Sequence, residues 1–146
     1  MEFRTEIKIS PNLLKLGRDL EAGIQAGLLR TAGAVEAAAV QEAPKATGNL
    51  ANAIRKNIET SRAVIKSTAP YSFFVHRGTG LFGPFKKLIT PRSKKALAFT
   101  IGGNKVVVRS VKGSKPNPFM ERAFKQTEPK LAGLFSGAIE EFLKKK

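Results

Sequence analysis

The first place to look for chemistry is the chain's one histidine, His76. An imidazole becomes a general base when a nucleophile sits on one side and a carboxylate orients it from the other. The chain has one aspartate, Asp19, remote in sequence, and no glutamate lies between Glu59 and Glu121. A more distant acid could still fold in, but nothing points to one. His76 is therefore expected to be a partly buried side chain bonded to backbone. Metal-dependent hydrolysis needs clustered carboxylates or histidines, and the stretch around His76 offers none. With no cysteines, disulfides and thiolate metal sites are excluded. The expectation is a protein that is not an enzyme, with no catalytic residue, no cofactor and no metal.

A second motif invites a nucleotide reading. Gly78-Thr79-Gly80-Leu81-Phe82-Gly83 matches G-x-G-x-x-G, a pattern that works when a helix starts at the third glycine and aims its N-terminus at a pyrophosphate. Here Pro84-Phe85-Lys86-Lys87 and Thr90-Pro91 follow, poor material for a helix, and the acid expected about 20 residues on is missing. The glycines read instead as a flexible loop needing positive φ or close backbone contacts.

Charge is the extreme property. The net charge is +15, and the acid-free interval from Glu59 to Glu121 holds Arg62, Lys66, Arg77, Lys86, Lys87, Arg92, Lys94, Lys95, Lys105, Arg109, Lys112 and Lys115. Such a run is either a solvated surface or a face matched to an acidic protein or to DNA. No helix-turn-helix, zinc-finger or aromatic RNA-binding signature accompanies it. Most of the ten phenylalanines fall on apolar stripes. Phe82 and Phe85, beside the loop glycines and among Lys86, Lys87 and Arg92, either form a contact patch or fold back onto the sheet.

These residues must be held by ordinary elements. Alternation of Phe3, Ile7 and Ile9 suggests a short strand. Ser10-Pro11 looks like a helix cap and first turn. Leu13, Leu16, Leu20, Ile24, Leu28, Val35 and Ala39 form one apolar stripe on a helix from Leu13 to Glu42, interrupted by Gly17, Gly23, Gly27 and Gly33, which permit a bend or a close neighbour. Thr47-Gly48-Asn49-Leu50 caps a short helix through Ala53 or Ile54. Residues 62–67 read as a strand, and Tyr71 to Arg77 as a helix turn or a strand. The segments Ala96 to Ile101 and Lys105 to Val111, around Gly102-Gly103-Asn104, make a β-hairpin. Asn117-Pro118 starts a last helix that Pro129 either breaks or restarts. The fold class is α+β: a long N-terminal helix and a C-terminal helix packed on a small antiparallel sheet, one domain over residues 1–146. No stretch approaches a membrane span, and Met1 to Glu6 lacks a signal-peptide layout, so a protein made and used in a bacterial or host cytoplasm is expected.

Four segments, in order, carry a resemblance: Ala43-Pro44-Lys45-Ala46-Thr47-Gly48-Asn49-Leu50; Tyr71 through Val75-His76-Arg77-Gly78-Thr79-Gly80; Ile89-Thr90-Pro91-Arg92-Ser93-Lys94-Lys95-Ala96-Leu97-Ala98-Phe99; and Lys115-Pro116-Asn117-Pro118-Phe119 through Phe124. Together they resemble the small neck proteins of long-tailed bacteriophages, described variously as head–tail joining, tail-completion or minor tail proteins. The likeness spans roughly residues 35 to 130. Arg77 departs from the family pattern, which favours an acidic or apolar residue there, and the usual Pro-Gly before Pro116 is missing. The resemblance implies a structural virion protein of phage or prophage origin, assembled as a hexameric ring at the head–tail interface, with other neck or tail subunits as partners and DNA possible in its channel. Such a ring needs two different patches on each copy, and the loop's glycines, aromatics and cations suggest that residues 78 to 95 of one copy pack on the long helix of its neighbour, with Gly78, Thr79, Gly80, Leu81, Phe82, Phe85, Lys86, Lys87, Arg92, Lys94 and Lys95 as the contact surface and Arg109, Lys112 and Lys115 as polyanion contacts. The alternative is a non-specific basic DNA-binding protein.

Overall fold

The computed structural model describes residues 4–8, 18–45 and 48–145. Its element order is β1 (Arg4–Lys8), α1 (Arg18–Glu42), α2 (Asn49–Asn52), β2 (Ile54–Ile58), β3 (Arg62–Ser67), α3 (Ser72–Arg77), a 3-10 turn (Gly80–Phe82), β4 (Leu97–Ile101), β5 (Asn104–Val108) and α4 (Phe119–Lys144). The expected cap at Ser10-Pro11, the helix start at Leu13 and Leu16, the strand ends Phe3 and Ile9, and Thr47 lie outside the described residues. The fold is α+β, with long N- and C-terminal helices and a small antiparallel sheet. Its contacts group into two compact units, residues 1–72 with 119–146, and residues 73–118.

In the first unit the apolar stripe of α1 is the organising feature. Ile24, Leu28, Ala32, Val35 and Ala39 are buried along it, the i, i+4, i+3 recurrence that one helix face requires. The helix packs on β2 and β3 and on α4, which runs antiparallel to it. Two of the α1 glycines are seats for that packing rather than bends. A Cβ on Gly27 would stand 2.5 Å from the Phe135 ring, and one on Gly23 3.4 Å from Phe142. Thr31 is also buried, and its hydroxyl donates back to the Gly27 carbonyl at 3.0 Å, so that hydroxyl is not left bare.

Ion pairs clamp the helix pair at two places, one midway along α1 and one at its C-terminal end. The Arg30 guanidinium donates to both oxygens of Glu141, at 2.6 and 3.3 Å. At the second place Arg122 Nε donates to Glu42 at 2.8 Å, and Gln126 Nε2 to its second oxygen at 2.7 Å. The hydrogen bond from Arg122, then that from Gln126, holds the Glu42 carboxyl below its ordinary value of 4.5. A carboxyl lowered in the folded state favours folding above its unfolded value, and that contribution vanishes as pH falls through the folded value. Acid titration of thermal stability should therefore show a decline below the ordinary carboxylate range that Glu42→Gln makes shallower. The effect is modest because the pair is solvated. An identical slope in the variant would show that the clamp is not formed in solution.

The sheet has the order β1-β3-β2, antiparallel throughout. Strand β2 escapes sequence reading, which extends the preceding helix towards Ile54. The reason is Lys56. Ile54, Lys56 and Ile58 share one strand face, so a lysine interrupts the apolar alternation. Its ammonium is met by Glu36 of α1 at 2.5 Å, while Glu36 also accepts from the Lys56 backbone N–H at 3.2 Å. The β2–β3 turn is fastened by Gln25 of α1, whose amide donates to the carbonyls of Glu59 and Thr60. Helix α4 runs unbroken through Pro129. Pro129 is exposed, so water can serve the carbonyl that a proline leaves without an N–H. Packing of Phe135, Ile139 and Phe142 along α1 carries the helix past it. Lys144 in the last turn suits the negative helix end.

The second unit contains the β4–β5 hairpin, paired from Leu97↔Val108 to Ile101↔Asn104. Gly102 and Gly103 form its two-residue turn at φ 55° and 85°, the all-positive geometry that matches strand twist. The hairpin's shared face (Leu97, Phe99, Val106, Val108) is only half covered, and Ile101 and Val107 are 61% and 59% exposed. Every fully buried apolar side chain among the described residues belongs to the first unit.

Candidate functional site

The loop after α3 is built from backbone. Gly78 and Gly80 adopt φ of 80° and 62°, and Gly113 adopts 92°, conformations that a side chain strains. They let two chain segments cross at van der Waals distance. The Thr79 N–H donates to the Ser114 carbonyl at 2.9 Å, the Leu81 N–H to the Lys112 carbonyl at 2.8 Å, and the Ser114 N–H to the Thr79 hydroxyl at 2.9 Å. A Cβ on Gly80 would collide with the Lys112 carbonyl, and one on Gly113 with that of Thr79. Further along, Ile89 and Val111 exchange a reciprocal pair of hydrogen bonds, each 2.9 Å. The glycines thus serve close contacts and positive φ, and the loop is tied at two places. Gly83 is extended and no helix follows it before β4, so the G-x-G-x-x-G pattern has no helix N-terminus to offer a phosphate.

Tied in this way, the segment folds over α3 to enclose a groove of about 500 Å³, lined by Phe73, Phe74, Gly78–Gly80, Gly83–Phe85, Leu88, Ile89 and Thr90, with Lys87 and Arg92 among its walls. Phe73 and Phe74 meet edge to face, centroids 5.7 Å apart, and the Arg77 guanidinium lies 5.3 Å from the Phe73 ring. Phe74 is 56% exposed and Phe85 is 85% exposed.

The sequence-derived contact residues divide accordingly. Gly78, Thr79, Gly80, Phe85, Lys87 and Arg92 come together at the groove. Leu81 and Phe82 form the 3-10 turn, both exposed, and Phe82 stands under the Lys115 ammonium, 5.9 Å from its ring centre. The paired-aromatic patch is therefore split, Phe85 going to the groove and Phe82 to Lys115. Lys86 takes a φ of 48° beside it. Lys94 and Lys95 lie in the exposed bends before β4, Arg109 just after β5, and Lys112 at the crossing. Sequence reasoning missed Phe73, Phe74, Pro84, Leu88 and Ile89. Phe73 and Phe74 looked like core because a six-residue helix is too short to reveal which side faces out.

His76 is buried, at 7% exposure, on α3. Among the described residues no group of three or more histidines and carboxylates is placed to hold a metal ion, and no helix is long and apolar enough to cross a membrane. No family model matches the chain, and no curated protein or solved structure does.

Proposed function

We propose that the chain is a structural subunit of the neck or tail of a long-tailed bacteriophage virion, joining or completing the head–tail interface by ring assembly, and that it performs no catalysis. One observation carries the reading. Residues 73–118 hold ten cations and no carboxylate, contribute no buried apolar side chain, and leave Phe74, Phe85, Ile101 and Val107 more than half exposed. Apolar surface gathered so densely in one small unit marks a contact surface for another protein. A head-to-tail ring uses two different patches on each copy, and the order and spacing of the four resembling segments are the support for placing that ring in a phage neck or tail. The partners would be other neck or tail subunits and further copies of this chain.

In particles made with Phe85→Ser, filled heads and free tails should accumulate unjoined, as counted by electron microscopy. The purified variant should melt with the wild type, because the ring it removes is solvent-facing. Normal yields of joined particles would overturn the proposal. The uniform charge also favours a second reading, a non-specific DNA-binding protein. That reading requires duplex affinity that falls steeply and linearly in log salt, whereas the assembly reading expects weak retention only.

A further inference from the structure

We propose that the aromatic groove of residues 73–92 binds an acidic segment of a partner protein, an apolar side chain of that segment seating among Phe74, Phe85 and Leu88 while flanking carboxylates meet Lys87 and Arg92. The proposal names the partner chemistry of the assembly surface and rests on that reading for where the contact operates. The groove itself can be tested on the purified chain.

Its size, about 500 Å³, falls in the range that holds a few side chains rather than a flat protein face. Its lining is aromatic and aliphatic, so the occupant must bring an apolar group. Its charged walls are cationic only. Lys87 and Arg92 are exposed and have no hydrogen-bond or ion-pair partner among the described residues, and no carboxylate lies between Glu59 and Glu121 to satisfy or repel an incoming ion. An acidic segment therefore meets attraction alone.

Two other occupants fit less well. A second copy of the chain is a poorer source of acid for this groove, because five of its glutamates, Glu6, Glu36, Glu42, Glu59 and Glu141, are already held by its own cations. Nucleic acid would need flat rings on which to stack. Phe73 and Phe74 stand at 78° to each other, and Pro84, Leu88 and Ile89 complete an aliphatic wall.

The test is fluorescence anisotropy with a labelled glutamate-rich peptide carrying one phenylalanine and one leucine. Two controls of equal length replace the apolar pair by serine, or the glutamates by glutamine, and single-stranded oligothymidylate is the third probe. The apolar acidic peptide should bind, each peptide control at least about tenfold more weakly. Phe85→Ser and Arg92→Glu should each weaken binding about tenfold, while Lys94→Glu, outside the groove, changes it little. Since Phe85 and Arg92 are exposed, matching thermal melts will exclude misfolding. Equal binding of the serine control, tighter binding of oligothymidylate, or indifference to Phe85→Ser would each overturn the proposal. If the peptide binds as stated but Phe85→Ser particles join normally, the assembly reading fails and the groove stands. If joining fails in that variant yet no peptide binds, the groove's stated occupant is wrong and the assembly reading survives.

Discussion

Gly113→Val should unfasten the docking surface while leaving the helical unit folded. Gly113 sits at φ 92°, where a branched side chain costs about 1–2 kcal/mol from backbone sterics alone. Its Cβ would also collide with the Thr79 carbonyl, and neither backbone can retreat without releasing the hydrogen bonds that Thr79 and Leu81 donate to Ser114 and Lys112. The groove depends on that crossing, because its glycine wall is the crossing segment. Hydrogen exchange should accelerate at least about tenfold at the Thr79 and Leu81 amides, and the acidic probe peptide should lose affinity with them. Far-UV dichroism should hardly change, since the long helices lie in the other unit. Retained protection at both amides would mean that the crossing does not hold the loop.

The largest loss of global stability is expected for Phe119→Ala. Phe119 is 1% exposed and the bulkiest fully buried side chain described, placed at the first position of α4. Emptying such a site costs about 3–5 kcal/mol, the sum of lost transfer energy and the cavity left behind. That is a large fraction of the roughly 5–15 kcal/mol by which domains are stable. In a chain of this size the melting midpoint should drop by about 10 °C. Phe85→Ser is the internal comparison, expected within about 0.5 kcal/mol of wild type. Urea melts of the two variants measure both. A loss under about 1 kcal/mol at Phe119 would mean that the helix start does not anchor the core.

The contrast between these phenylalanines shows where one-dimensional reading stops. Phe119, Phe74 and Phe85 are alike as residues, and Phe119 and Phe85 each even follow a proline. Phe119 is buried because α4 is long enough to present a continuous face to α1. Phe74 is left exposed on a helix of six residues. Phe85 is presented outward by a loop whose course is set by residues about thirty positions later in the chain, at the Thr79–Ser114 crossing. Lys56 makes the same point in reverse. A lysine argues against a strand face, yet Glu36 neutralises it from across the packed layer, and no local window contains both.

From the residues alone came the helical stripe of α1, a hairpin around Gly102-Gly103-Asn104, the α+β class and the carboxylate-free interval, because periodicity, turn chemistry and charge are local or additive properties. Only folding decided that Pro129 stays inside one helix, that Gly27 is a seat for Phe135, and that Phe85, Lys87 and Arg92 share a groove while Phe82 turns to Lys115. Those outcomes depend on which distant segment covers each face, and a backbone hydrogen bond such as that from Leu81 to Lys112 carries no side-chain signature for a sequence to display.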